Sequence, residues 1–189
     1  MLSLALSVIG FLVGSIPFSL LLVRLCAKDI TKIADGNPGA TNAWRACGPK
    51  IGIPALLLDF LKGVSPVYLA ILLGLTGWKL VPIILAPPLG HAFSPWLHFR
   101  GGKSVAVTFG VWAGVTTWIV PSVLGGMFVV GKLLGIGDSY VVVLGSAVTL
   151  VFISVFFRDT ALALAAGLNL ALLVYTHRES LGWRSSWNS

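Results

Sequence analysis

The chain has 189 residues, 57% of them hydrophobic and only 10% charged, with a mean hydropathy of +0.96. A soluble domain carries about 25% charged residues, so this composition excludes a soluble globular protein and points to an integral membrane protein of one helical bundle. The net charge of +7 does not indicate nucleic acid, because the basic residues flank apolar runs as membrane orientation signals do, and no basic helix face or soluble recognition module is present.

The first apolar run spans Leu2–Leu25 and stays uncharged through Val23. It has no basic segment ahead of it, is long enough to cross a bilayer, and ends in Val23-Arg24-Leu25-Cys26, a poor lipoprotein site. It reads as a retained first helix. Further runs lie at Ile53–Leu73 and Leu80–Leu97. From Ser104 to Gly131 there is no charged residue. As one helix this stretch would be about 42 Å long at ~1.5 Å per residue, against a hydrocarbon core of about 30 Å. Pro121, Ser122 and Gly125-Gly126 mark a break, so two spans are expected, Val105–Val120 and Pro121–Leu134. Tyr140–Phe157 and Thr160–Tyr175 complete the set. No repeat, linker or low-complexity tract divides the chain, so residues 1–189 read as one all-α integral membrane domain of about seven transmembrane helices.

Charge places its ends. With seven spans, Arg24, Lys28, Lys32, Arg45, Lys50, Arg100, Lys103, Lys132, Arg178 and Arg184 lie on the inner side, and only Lys79 and Arg158 on the outer side. That is ten against two. A six-span arrangement gives eight against four, so the positive-inside rule prefers seven, with the N-terminus out and the C-terminus in.

The same parity gathers three polar clusters on the inner side. The first is Gly36-Asn37-Pro38-Gly39-Ala40-Thr41-Asn42 followed by Arg45. Asn-Pro-Gly is a turn signature, and a short helix from Ala40 to Ala46 would stop before Gly48-Pro49. On it Thr41, Asn42 and Arg45 share a face, a hydroxyl, amide and guanidinium set suited to phosphate or carboxylate, or to lipid headgroups. The second is Arg100-Gly101-Gly102-Lys103-Ser104. Gly101 and Gly102 can turn backbone N–H groups inward beside a cation and a helix start at Ser104, an anion-holding geometry; the bland alternative is a glycine turn with a snorkelling lysine. It is not a Walker A loop, since Leu97 stands where that motif needs its leading glycine.

The third cluster is His177-Arg178-Glu179. His91 and His177 converge on the same layer, either as hydrogen-bonded structural residues or as site residues. No His or Cys pair has metal-ligand spacing, so no metal and no cofactor are expected. Cys26 and Cys47 read as unpaired thiols. His98 and the seven Trp read as interface anchors. Asp59 and Lys62, three apart within a span, read as a structural intramembrane pair facing the bundle interior.

Gly36-Asn-x-Gly-Ala-Thr-Asn42 with Arg45, Asp59-Phe-Leu-Lys-Gly63, Gly90-His91, Gly101-Gly-Lys103 and His177-Arg-Glu179 together resemble the PlsY family of bacterial membrane acyltransferases, nearly end to end. The resemblance implies a seven-helix bundle in the bacterial cell inner membrane with an active site facing the cytoplasm. It implies transfer of a fatty acyl group from acyl phosphate to glycerol 3-phosphate, giving lysophosphatidic acid for phospholipid biosynthesis. It assigns phosphate binding to Thr41, Asn42, Arg45 and Lys103, with His177 nearby, and no dedicated protein base, the substrate phosphate helping to take the hydroxyl proton. Membrane lipid is the implied surroundings, and the enzyme that makes acyl phosphate a candidate partner.

Three positions depart from the family pattern. Ala34-Asp35 stands for Gly-Ser, Ser104 for a glycine, and Ser180 for an asparagine. Asp35 would repel a phosphate by a few kcal/mol at an effective dielectric near ~20, or act as a base for a different acceptor. On this reading Lys103, Arg45, His177 and Asp35 are the catalytic candidates. Gly36, Asn37, Gly39, Thr41, Asn42, His91, Gly101, Gly102, Ser104 and Ser180 are the binding candidates. A small-anion transporter and a catalytically inactive lipid-binding relative are the alternatives, the first because carriers also use buried cations and broken helices.

Overall fold

The computed structural model describes residues 1–182. Trp183, Arg184 and Trp187, which enter the anchor and charge readings above, lie outside the described residues. Among the described residues every regular element is helical.

The first apolar run is not one helix. It forms α1 (Leu2–Ser15) and α2 (Phe18–Arg24), interrupted at Ile16-Pro17. Proline has no N–H and its ring crowds the carbonyl four residues back, so a helix breaks there even where hydropathy is continuous. α3 (Ala40–Cys47) ends at Gly48, whose φ of 73° suits a residue without a Cβ. α4 (Pro49–Leu72) follows at once, with proline at its first position, where a missing N–H costs nothing. α5 (Val81–Ala92) leads through a 3-10 turn at Pro95–Leu97 into the Gly101-Gly102 loop.

α6 (Val105–Thr116) and α7 (Ile119–Leu133) replace the long uncharged stretch. The break falls at Thr117-Trp118 and not at Pro121, because Thr117 adopts φ 57° and ψ −114°. Pro121 sits in the first turn of α7, where proline fits. α8 (Asp138–Phe152) runs on through a π-helical turn at Ile153–Phe157. α9 (Thr160–His177) is capped by Asp159, which accepts from the N–H groups of Ala161 and Leu162 at 2.8 and 3.1 Å. Five helical segments are long and apolar enough to cross a membrane: Leu2–Arg24, Pro49–Leu72, Gly77–Leu97, Asp138–Phe157 and Thr160–His177. α6 and α7 are shorter apolar helices.

Helices approach closely through small residues, the packing that serves where lipid tails offer no hydrophobic drive between helices. A methyl at Gly63 of α4 would come within 3.1 Å of Gly110 Cα in α6, and one at Gly114 within 3.3 Å of Val67 Cβ. Rising numbers on one helix meet rising numbers on the other, so α4 and α6 run in the same direction. Val67, Ile83, Ile84, Trp112, Val120, Leu124 and Ile153 form the main buried cluster, while Leu72 and Leu133 stand exposed on the outer surface.

Asp59 and Lys62 lie inside this bundle, with side chains only 2% and 1% exposed and 2.8 Å apart. Lys62 Nζ also donates to the carbonyl of Ile16 at 2.9 Å, and Ser19 Oγ to Asp59 Oδ2 at 3.2 Å. The pair therefore meets the α1–α2 break, where Pro17 disturbs the backbone ladder. A buried polar group is tolerated when it is matched in this way.

Candidate active site

The polar clusters meet at one end of the bundle, where the α2–α3 connection, the start of α6, the end of α9 and the α7–α8 turn come together around a cavity of about 910 Å³. Asp35, Asn37, Gly39, Thr41, Asn42, Arg45, His91, Lys103, Ser104, His177 and Ser180 line it, as does Asp59 from below. Gly36, Gly101, Gly102 and Lys62 do not.

The loop before α3 is folded by its own polar atoms. Asp35 Oδ1 accepts from the Asn37 N–H at 3.2 Å, closing a turn between Ala34 and Gly36, both at positive φ. The Asn42 side-chain nitrogen lies 2.8 Å from Asp35 Oδ1, 3.1 Å from the Ile33 carbonyl and 3.0 Å from the Asn37 carbonyl. Its oxygen accepts from Arg45 Nη1 at 3.1 Å. Asn42 is thus the buried keystone of the loop and the orienter of Arg45; its amide hydrogens are already engaged. Thr41 and Arg45 stand exposed on the cavity side.

Across the cavity, Lys103 Nζ donates to Asp35 Oδ2 at 2.8 Å and to Ser180 Oγ at 3.0 Å. Three chain-distant clusters are joined through this one ammonium. Partial burial opposes ionisation of Asp35, but hydrogen bonds from Lys103, Asn42 and the Asn37 N–H outweigh it and lower its pKa from the usual 3.8 to about 2. Asp35 is therefore a fixed anion at neutral pH and a poor proton acceptor.

The expected N–H nest at Gly101-Gly102 is not formed. The Gly101 N–H donates to the Ala92 carbonyl at 2.9 Å, and the Gly102 N–H to the His91 carbonyl at 3.0 Å. A methyl on Gly102 would overlap His91 Nε2, and one on Gly101 the His91 carbonyl. These glycines permit close approach of the loop to the end of α5; they do not point donors at a ligand. Ser104 Oγ likewise turns away, donating to the Pro88 carbonyl at 2.8 Å. His91 is buried behind the loop, its Nδ1 3.9 Å from Asp59 Oδ1. That oxygen faces the Lys62 ammonium at 2.8 Å, which compensates its charge.

His177 Nδ1 lies 2.8 Å from the Leu173 carbonyl, an oxygen that can only accept, so Nδ1 carries the proton and Nε2 remains as the ring's acceptor. Thr176 Oγ1, 3.2 Å from the Lys103 carbonyl, ties the end of α9 to the lysine's backbone. Arg178 turns outward, its guanidinium stacked 4.1 Å from the Tyr175 ring.

Sequence reasoning missed the rest of the cavity. Leu56, Leu57 and Phe60 of α4, Phe109 of α6 and Phe128 of α7 form an apolar wall beneath the polar end. Lys132 and Asp138, paired at 2.5 Å across the α7–α8 turn, and Ser139 stand at its mouth. A lysine and an aspartate flanking a short turn was the one signal available for that mouth. Among the described residues no group of three His, Cys, Asp or Glu side chains is arranged to hold a metal ion.

The chain as a whole is similar to proteins of known activity. A glycerol-3-phosphate acyltransferase from Thermotoga maritima is 36% identical over 196 aligned residues, covering 96% of this chain and 97% of that protein. Two solved structures of PlsY, an integral membrane glycerol 3-phosphate acyltransferase, superpose with TM-scores of 0.85 for the glycerol 3-phosphate form and 0.84 for the lysophosphatidic acid form. Both are 33% identical and cover 96% of this chain and 91% of theirs. The family model described as glycerol-3-phosphate acyltransferase matches residues 4–183. With this agreement along nearly its whole length, the chain belongs to the glycerol-3-phosphate acyltransferase family of integral membrane proteins.

Proposed function

We propose that this protein transfers a fatty acyl group from acyl phosphate to the first hydroxyl of glycerol 3-phosphate, giving lysophosphatidic acid, at the cytoplasmic face of a bacterial inner membrane. The observation that carries the reading is the single cavity joining Arg45 and Lys103 to an apolar wall. An anionic headgroup and a hydrocarbon chain on one substrate require that combination.

In the reaction the acceptor hydroxyl oxygen attacks the carbonyl carbon of acyl phosphate. A C–O bond forms, the bond from that carbon to the phosphate oxygen breaks, and the hydroxyl proton leaves with inorganic phosphate. Acyl phosphate is already activated, so the protein supplies position and charge. Arg45, aimed by Asn42, and Lys103 offset two phosphates brought together. His177 Nε2 can accept from the attacking hydroxyl and orient it. Asp35, at a pKa of about 2, does not take the proton; it holds Lys103 until a phosphate competes for the ammonium.

Seven spans with the N-terminus outside and the site inside are supported by the ten-to-two charge bias and by the gathering of the polar clusters at one end. Acyl phosphate is a hydrolysable mixed anhydride, so the enzyme that makes it is the candidate partner at that face. The test is incubation of the purified protein with acyl phosphate and glycerol 3-phosphate. Lysophosphatidic acid and inorganic phosphate in equal amounts are expected. Absence of both products from a folded protein would overturn the reading.

A further inference from the structure

The groove has an end. On α6 its lining stops at Phe109, and on α4 at Phe60. Beyond them, among the described residues, the one lining side chain is Trp118, at the α6–α7 turn. The Trp118 and Phe60 rings are stacked, with centroids 6.2 Å apart and planes within 9°. Phe109 and Phe128 meet edge to face at 5.7 Å between α6 and α7. Thr117, at φ 57° and ψ −114°, reverses the chain so that Trp118 begins the returning helix. Trp118 is 65% exposed, so its ring is not part of the packed core.

We infer that the Phe60–Trp118 stack is the length stop of the acyl groove, closing it to chains that the upper groove admits. The inference rests on the acyltransferase reading above and names a property of its donor. The polar end at Lys103 fixes the phosphate, so the chain is measured from there. α6 rises about 18 Å over its 12 residues. An extended hydrocarbon advances roughly 1.25 Å per bond, from a ~1.52 Å bond at about 111°. A straight chain therefore reaches the end of α6, where Trp118 stands, within about fourteen bonds of the carbonyl, and chains beyond about C16 must bend out between helices. Because the chain arrives from lipid, burying it is not what discriminates; lipid tails are as apolar as the wall. Fit against the aromatic stop is.

The experiment uses the purified full chain and acyl phosphates from about twelve to about twenty carbons in matched micelles, with glycerol 3-phosphate saturating. Wild type should lose about tenfold or more in kcat/KM between about C16 and about C20, the scale of a misfit of a few methylenes. Trp118→Ala should flatten that fall to within about threefold while keeping activity at about C14. Trp118→Phe, which keeps a ring to stack, should retain the wild-type profile. Phe60→Leu opens the stack from α4 and should flatten the same fall relative to its own activity at about C14, so a folding fault in one variant leaves the other to decide. Active variants with the wild-type length profile would overturn the stop. A wild type already flat across the series would also overturn it. No transfer from any chain length would overturn the acyltransferase reading instead, and the stop with it.

Discussion

Two aspartate–lysine pairs in this protein have the same N–O distance of 2.8 Å and opposite surroundings. Asp59–Lys62 has side chains 2% and 1% exposed; Asp35–Lys103 has side chains 47% and 25% exposed. The buried pair also answers the Ile16 carbonyl at the α1–α2 break. Its carboxylate also accepts from Ser19, and each charge depends on the other. The second pair faces the cavity, and its lysine already divides its donors between Asp35 and Ser180. On the proposed function, that division is where a phosphate would enter. Distance alone therefore does not tell a structural ion pair from a replaceable one; solvent access does.

The largest effect should come from breaking the buried pair. Lys62→Ala leaves an uncompensated carboxylate inside the bundle and should cost about 3–5 kcal/mol of stability, read as thermal unfolding in detergent. Asp59→Leu with Lys62→Met should cost clearly less than Lys62→Ala alone. Equal losses would show that the pair does not act as a unit.

Lys103→Ala should lower stability by no more than about 1 kcal/mol, as for an exposed ion pair, and lower kcat/KM by about 10²–10³, the usual cost of one lost charge-stabilising donor. Near-normal turnover would remove Lys103 from the phosphate site. Asp35→Ser has a smaller effect of opposite sign. Removing a unit charge about 4 Å from a phosphate is worth up to about 4 kcal/mol at an effective dielectric of ~20, and solvent screening of this exposed site reduces that to about 1 kcal/mol. The KM for glycerol 3-phosphate should fall about fivefold. A KM that rises would instead show Asp35 serving the acceptor directly.

The smallest effect concerns pH. The folded-state pKa of Asp35 is depressed from 3.8 to about 2. Its stabilising contribution is therefore fully present above the unfolded value and lost as pH falls through the folded one. The stability difference between wild type and Asp35→Ser should be constant from neutrality down to about pH 4 and shrink towards about pH 2. A change of that difference near neutral pH would mean that the carboxylate is not held by Lys103 and Asn42.

The apolar runs and the polar islands were legible in the sequence because membrane burial separates them sharply in composition. The α1–α2 break was less so: Pro17 lies in a run whose hydropathy never falters. At Pro121 the reverse held, since proline is as much at home in the first turn of a helix as between helices. Asn42, Arg45, Lys103 and His177 were legible as polar side chains gathered at one end, and they line one cavity, yet their relations were not legible. Sequence shows that Gly101-Gly102 is small; only packing shows that the space is filled by His91 and that the loop N–H groups are already bonded. The apolar wall was invisible, because Leu56, Leu57 and Phe109 have the same hydropathy as side chains that face lipid.

The brevity of the α6–α7 hairpin reaches beyond the protein. Its helices have 12 and 15 residues, so they rise only about 18 and 22 Å in a hydrocarbon layer of about 30 Å. In the seven-span arrangement the lipid beside them is pulled thin, at a modest cost for each ångström of mismatch. In that arrangement the thickness of the bilayer becomes a variable of the enzyme. Reconstituted in membranes of shorter lipids the hairpin would sit without strain, and in thick ones it would pull against the surrounding leaflet, so turnover should track lipid length even at constant substrate.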